Sequence, residues 1–549
     1  LFVVLFYFYK LVDTECSEML IPSSSPKVSL LLSGIFTIFY VLGDYTTICG
    51  GLDNKIFCAM VLLITSIGLL ILFYRIILFL FTKSNGKHLS IVENKHKLRF
   101  ASLSCLACFL CWIPYLGKNF PGVMTVDSMN QFAQVLGVYA PSNHHPYVHT
   151  LLIGFWYHIG QIFTPNISYS LAFYTVFQMI FLASCIGYCI YTLLCLGVSK
   201  KICLLLLSFY AFVPYNGHYG VTMWKDPIFA GGALLLVITL LRMLYLPGKS
   251  CFTLGTFNAI MFFISSLIFC LFRTNGWYAY WIMIPVILVL FRAKLRPVIM
   301  LICLVITTVL LIKGPVMNAY DVIQPDLVES LSIPAQQLSR VIVSDKPLTE
   351  EQNQFLNEIL DTSQIVDLYN PYVSDGFKRL VREGNPDYLE ENFGEFIKVY
   401  LEIGLTYPLD YFLAFTDQSI GFWFPSQEGI IAGDEGIIAN EFGVTNEAFF
   451  TGALVIKINE ICLKLKDMVP LYGILWNMGG IFWIILFSCG LCYVHGDKRL
   501  FLLYLPCFAV FFTLVIATPV AKEFRYAYSY IYCLPLYLIL PFIRIQKHQ

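Results

Sequence analysis

Hydrophobic residues run along this chain in stretches of about 20, the length a helix needs to cross a bilayer core roughly 30 Å thick, with short polar segments between them. The pattern predicts an all-α polytopic membrane protein of about twelve transmembrane helices, at 27–46, 56–82, 99–116, 170–196, 202–216, 225–246, 253–272, 277–291, 297–313, 467–493, 499–518 and 525–543. The shorter spans are expected to extend into flanking aromatics such as Trp277 and Tyr278, which favour the membrane interface. The sequence begins with Leu1 rather than Met, so "LFVVLFYFYKLV" is expected to be the tail of a truncated helix or a leader.

Lysines and arginines orient these spans, because cytoplasmic loops carry their excess. They cluster in "KSNGKHLSIVENKHKLR" at 83–99, at Lys200 and Lys201, at Arg242 and Lys249, in "RAKLR" at 292–296, at Lys498 and Arg499, and in "RIQKHQ" at 544–549. All of these share one side only if the apolar segment 147–163 does not cross. That segment carries Trp156, Tyr157 and His158, which suits a helix lying in the interface or folding back into the outer leaflet. The stretch 314–465 then becomes one external region, with two dozen acidic residues against eight basic ones. Its spaced apolar positions, as in "LTEEQNQFLNEILDTSQIVDLY", predict a small, mostly helical domain on the membrane surface. Four parts follow: N-terminal spans and the basic loop (1–98), a transmembrane core (99–313) with a polar first outer loop (117–169), the external domain (314–466) and C-terminal spans (467–549).

Composition agrees. Charged residues make up 13% of the chain, about half the 25% or so of soluble proteins. Net charge is zero, which gives no footprint for nucleic acid. Of the 18 cysteines, Cys105, Cys108 and Cys111 show CxxC spacing, but they fall inside a predicted span and are expected to act as small apolar residues. "NIS" at 166–168 is a short and weak match to a glycosylation acceptor.

The predicted topology sends a set of polar residues to the outer side. The first outer loop contributes Asp127, Ser128, Gln131, His144, His145 and His149. "VTMWKDPIF" adds Lys225 and Asp226, "FRTNGWYAYW" adds Arg273 and Asn275, and "TPVAKEFRYAYSYIY" adds Lys522, Glu523, Arg525 and Tyr526. Charges beside hydrocarbon are expensive and usually line a cavity or pair with one another. Bland readings compete: Lys225–Asp226 as a structural ion pair, the arginines as anchors among aromatics, and His149 and His158 as interfacial hydrogen-bonders. Asp127 precedes apolar positions Met129, Phe132, Val135 and Leu136, a spacing that predicts a short amphipathic helix with Asp127 near its N-terminus, where a carboxylate is also a fair cap.

"PGVMTVDSMNQ", "NHHPYVHT", "MWKDPIFA", "LFRTNGWYA" and "EFRYAYSYIYCLP", taken in that order over residues 99–545, resemble the GT-C glycosyltransferases, and most of all an uncharacterised multi-pass family of Gram-positive bacteria grouped with them. The resemblance implies transfer of a sugar from a polyprenyl-phosphate donor to a glycan, lipid or protein acceptor of the cell envelope, on the outer face of the cell membrane. It implies that Asp127 is the general base, that His145–Pro146 is the His-Pro element following it, and that Arg525–Tyr526 is the late Arg-Tyr pair. Two departures stand out: Ser128 occupies the place of a second acidic residue, and the hydrophilic domain precedes the last spans instead of following them. The expected catalytic set is Asp127, His144 and His145, with Arg273, Arg525 and Lys225 on the donor phosphate and Asp226, Asn275, Glu523, Tyr526 and Gln131 in support. No metal site is assigned; a divalent metal on Asp127 and the histidines is the one candidate cofactor, and the 17-residue gap gives no ligand spacing. A transporter or flippase of a lipid-linked or anionic substrate is the main rival, though it would place its charges nearer the bilayer midplane. A membrane O-acyltransferase using a histidine is the second.

Overall fold

The computed structural model describes residues 22–543 apart from 52–53, 247–253, 426–428, 430–435, 496–497 and 518, together with residues 7, 9, 10, 12 and 14. Most of the opening stretch, Lys249 and the basic cluster 544–549 lie outside the described residues. Among the described residues the secondary structure is helical, with isolated β-bridges only. Among the described residues eight helices are long and apolar enough to cross a membrane: Ser25–Gly43, Lys55–Ser84, Lys97–Lys118, Ile167–Cys195, Lys225–Tyr245, Arg292–Ala319, Met478–His495 and Lys498–Ala517. The chain is therefore a helical polytopic membrane protein by length and composition of its helices.

The remaining predicted spans take shorter forms. Two apolar helices, Thr256–Leu271 and Thr274–Leu290, stand at 253–272 and 277–291. The stretch 202–216 is divided between Lys200–Phe212 and Pro214–Val221, because Pro214 cannot donate a backbone hydrogen bond and opens a new helix instead. The segment 467–493 also breaks. Pro470 and the extended Asn477 interrupt it, and the long apolar helix starts only at Met478. The final segment forms Phe524–Ile539, 16 residues long.

Lys225–Tyr245 is the buried centre of the bundle, with every residue from Asp226 to Leu241 buried. It packs against Ile167–Cys195, Thr256–Leu271 and Phe524–Ile539. No charge interrupts it between Asp226 and Arg242, which is what a helix covered on all sides requires. Basic segments meet at one end of the bundle. There Val92 N–H donates to Gly197 O, Asn94 Nδ2 to Leu194 O and Val198 O, and Leu89 N–H to Phe542 O. Arg242 reaches Thr192 Oγ1 at 3.1 Å, and Arg499 lies over the Tyr245 ring. Asp127, Lys225, Arg273 and Arg525 sit at the opposite end of the same helices. Tyr147–Phe163 begins two residues after His145 and ends where Asn166 meets Glu447, so both of its flanks lie at that opposite end.

Within 314–466 the structure has three parts. Helices Ser332–Val343, Glu350–Ile359, Asp375–Glu383 and Phe393–Thr406 close around Leu338, Leu356, Val381 and Phe396 as a separate small core. Pro408–Trp423 begins in that body and ends in the bundle, where Trp483 Nε1 donates to Trp423 O. Residues 436–450 run back over the first outer loop, and Ala453–Met468 follows with only Val455 buried. A disulfide joins Cys49 to Cys58 across the turn between the first two spans, at the end that carries Asp127, whereas Cys105, Cys108 and Cys111 are free.

Candidate functional site

Asp127 is positioned by backbone on both sides of the residues that precede it. Val123 N–H donates to Val221 O at 2.9 Å and Met223 N–H to Val123 O at 3.0 Å. On the other side Met124 N–H donates to Gly436 O at 2.9 Å and Ile438 N–H to Met124 O at 3.2 Å. An extended segment thus lies between two others and feeds directly into the helix Val126–Val135. Thr125 is the cap. Its N–H donates to Ser128 Oγ at 3.3 Å, while Trp224 Nε1 donates to its hydroxyl at 2.8 Å. Ser128 therefore serves the helix start, and Asp127 is left free to face outward from the first turn, where the helix dipole favours a carboxylate.

Two cations and one histidine converge on or beside that carboxylate. Arg525 Nη1 lies 2.8 Å from Asp127 Oδ2, and Lys225 Nζ lies 3.8 Å from the same oxygen. His145 Nε2 is 3.8 Å from Oδ1, too far for a hydrogen bond, and its Nδ1 accepts from Lys225 Nζ at 3.1 Å. Arg525 also binds Glu523 through Nε at 3.0 Å and lies over the Trp224 ring at 4.5 Å. Burial alone would raise the Asp127 carboxyl, but Lys225, Arg525 and His145 outweigh it and hold the group well below the usual carboxylate range. Burial, with Lys225 alongside, pushes the His145 imidazole down to about 3, so the ring is neutral. Burial raises the Glu523 carboxyl in spite of Arg525.

A second layer adjoins the first through an aromatic ring. Tyr526 packs between the two guanidinium groups, 4.4 Å from Arg273 and 5.4 Å from Arg525. Arg273 is buried and bound to Asp226 through Nη1 and to Asn275 Oδ1 through Nε at 3.0 Å. Lys225 and Asp226, neighbours in sequence, thus take different partners: Lys225 faces Asp127, and Asp226 faces Arg273.

The other candidates fall outside this cluster. His144 is exposed and turns toward the small helical body, where its Nδ1 lies 3.9 Å from Glu329, itself held by Lys378 and Arg382. Gln131 belongs to a buried chain running from Thr150 through Gln131, His149 and Tyr174 to Gln178, which donates to the carbonyls of Tyr219, Gly220 and Thr222. With the Gln131 amide in its assigned orientation both His149 nitrogens would face acceptors, which demands an imidazolium. Full burial opposes that charge. Turning the amide end for end satisfies every partner with a neutral ring. This chain holds the loop to the bundle and does not touch Asp127.

Metal donors do not converge. Among the described residues no three His, Cys, Asp or Glu side chains could share an ion, and the Lys225 ammonium stands between His145 and Asp127 where a cation would bind. The residues do not fit a metal, and none enters the chemistry below. Sequence reading missed Trp224 and the crossing segment 436–438. Trp224 stands beside Lys225 in the "MWKDP" motif, but the crossing segment has no signal before folding.

Searches of the curated proteins and of the solved structures find no match to the chain. Residues 140–549 match the model of DUF6020, a family of unknown function. That match takes in most of the chain, including every residue of the cluster except Asp127 and the loop before it, and the protein belongs to the DUF6020 family.

Proposed function

We propose that the protein is an inverting membrane glycosyltransferase of GT-C type. It would move a sugar from a polyprenyl-phosphate carrier to a glycan, lipid or protein acceptor of the cell envelope, at the outer face of the cell membrane. In this reading Val126–Val135 and Tyr147–Phe163 are the two membrane-parallel helices, and the shorter apolar helices complete about twelve crossings of the bilayer. One observation carries the proposal: Asp127 and Arg525, 398 residues apart, meet at 2.8 Å at the end of the bundle away from the basic loops, with Lys225 on the same oxygen. A lipid-linked donor accounts for charge at that place, since its tail stays in hydrocarbon while its phosphate reaches the interface.

The chemistry follows from the pairing. The acceptor hydroxyl attacks the anomeric carbon, the bond from that carbon to the phosphate oxygen breaks, and the phosphate leaves with the electron pair. The hydroxyl proton passes to Asp127. At rest, Arg525 and Lys225 make Asp127 a weak base. A donor phosphate competes for both cations through charge-assisted bonds and so returns basicity to the carboxylate as the donor binds. Leaving-group charge and general base are thereby coupled through the same two side chains.

Asp127→Asn keeps the size and removes the base. Membranes containing this variant, given labelled polyprenyl-phosphate sugars, are expected to lose transfer by about 10²–10⁴-fold, the usual contribution of general base catalysis. Transfer at the wild-type rate would eliminate the assignment, and uptake into sealed vesicles without a covalent product would favour a transporter.

A further inference from the structure

Arg273 uses only half of each group it binds. Its Nη1 takes Asp226 Oδ1 and its Nε takes Asn275 Oδ1. The other atoms, Asp226 Oδ2 and Asn275 Nδ2, have no hydrogen-bond partner among the described residues. Both side chains are more than nine-tenths buried, with Asp226 at 2% exposure and Asn275 at 5%. Each buried polar atom without a partner forfeits its hydration. Here two occur together, on the first turns of two helices, tied to one guanidinium.

Their chemistry is complementary. The carboxylate oxygen only accepts and the amide nitrogen only donates. A hydroxyl, of a sugar or of water, carries the donor and the acceptor that the two atoms call for. A phosphate oxygen would be repelled by Asp226, an ammonium would leave the Asn275 donor unmet, and an apolar group would leave both unmet. Position adds a second constraint, since the Tyr526 ring lies against both Arg273 and Arg525, the cation on Asp127. A group held here is about one ring away from where a carrier phosphate would sit.

We infer that Asp226 Oδ2 and Asn275 Nδ2 form a hydroxyl-recognition subsite for the sugar being transferred. This rests on the glycosyl-transfer reading and goes beyond it by naming what selects the sugar. The pair holds one hydroxyl and rejects a sugar lacking it, because both buried atoms would then stay unpaired.

The test uses the full chain in lipid nanodiscs and equilibrium binding of defined probes: undecaprenyl phosphate, its hexose conjugates, and the same conjugates with single hydroxyls removed. Wild-type protein is expected to bind one hexose conjugate better than the bare carrier, and to lose about 10²-fold or more when one particular hydroxyl is absent. Asp226→Asn and Asn275→Asp each keep the oxygen that Arg273 needs but leave two donors or two acceptors. Asn275→Asp, which offers two acceptors to the single proton of a hydroxyl, is expected to abolish discrimination against that deoxy conjugate, whereas Asp226→Asn keeps it, because a hydroxyl oxygen accepts from two donors. The double exchange restores one donor and one acceptor and is expected to restore discrimination. Discrimination surviving in Asn275→Asp, or deoxy conjugates bound as well as their parent at every position, overturns the subsite. Should a variant fail to fold, the deoxy series on wild-type protein decides alone. If neither bare nor sugar-bearing carrier binds, the glycosyl-transfer reading itself fails and the subsite with it.

Discussion

His145 has two ring nitrogens and two charged neighbours. Because Lys225 donates to Nδ1, the remaining proton sits on Nε2 and points toward Asp127. The ring then orients both charges without adding a third. Its protonation is linked to folding. A free histidine titrates near 6.5, whereas His145 in the fold is pushed down to about 3. Across that window the unfolded chain binds a proton that the folded chain refuses, so stability falls as pH drops, by up to ~1.4 kcal/mol per pH unit. Asp127 acts in the same direction at lower pH, since its depressed carboxyl is stabilising only while ionised. His145→Asn is therefore expected to flatten the decline of melting temperature from about pH 6.5 to about pH 4.5, followed by tryptophan fluorescence in nanodiscs. An unchanged slope would mean that His145 titrates as a free histidine. Arg525 shows the matching economy on the cationic side, with Nη1 on one carboxylate and Nε on another, a two-pronged geometry lysine cannot reproduce.

At the scale of elements, the segment 122–124 fixes where Asp127 points, and its tolerance is small. Gly122 has φ +153°, and a Cβ there would lie 2.6 Å from Thr175 Oγ1 and 3.0 Å from Val221 O. Gly122→Ala is expected to lower stability by about 1–3 kcal/mol. Transfer should fall further than stability does, because a displacement near 1 Å at a reacting group can cost about 10²-fold. Melting curves and kcat/KM measured together check this; Gly394→Ala, in a helix where a Cβ meets open space, should leave transfer unchanged and lower stability not at all, and equal losses in the two measurements for Gly122→Ala would remove the positioning role. The helix that segment starts was legible in the sequence, because the spacing of Met129, Phe132 and Val135 has a helical period. Long apolar runs were legible for the same local reason. The pairing of Met124 with Gly436 and Ile438 was not, since backbone hydrogen bonds between distant segments leave no mark on side-chain pattern. Nor was the exchange of partners at Lys225 and Asp226: successive residues on a helix diverge by about 100° and cannot face one partner, but which partner each finds depends on helices far along the chain.

For the whole molecule, the central question is which face of the membrane carries the cluster. Charge placement and fold bear on it independently. Basic loops gather at one end through contacts such as Asn94 with Val198 and Leu89 with Phe542, while Asp127, Lys225 and Arg525 meet at the other. On the proposed reading the positive-inside rule would put the cluster outside, where the Cys49–Cys58 disulfide at the same end would meet an oxidising compartment. Tyr139, 48% exposed, stands on the first outer loop, and Lys87 is exposed in the basic loop. A cysteine at each position reports its side. In intact cells a membrane-impermeant maleimide is expected to label Tyr139→Cys and to spare Lys87→Cys, which should react only after permeabilisation. Unaltered protein sets the background. The opposite pattern would turn Asp127 toward the cytosol, where a donor presented in the outer leaflet could not reach it, and the proposed direction of transfer would have to be abandoned while the contacts among the clustered side chains stood unchanged.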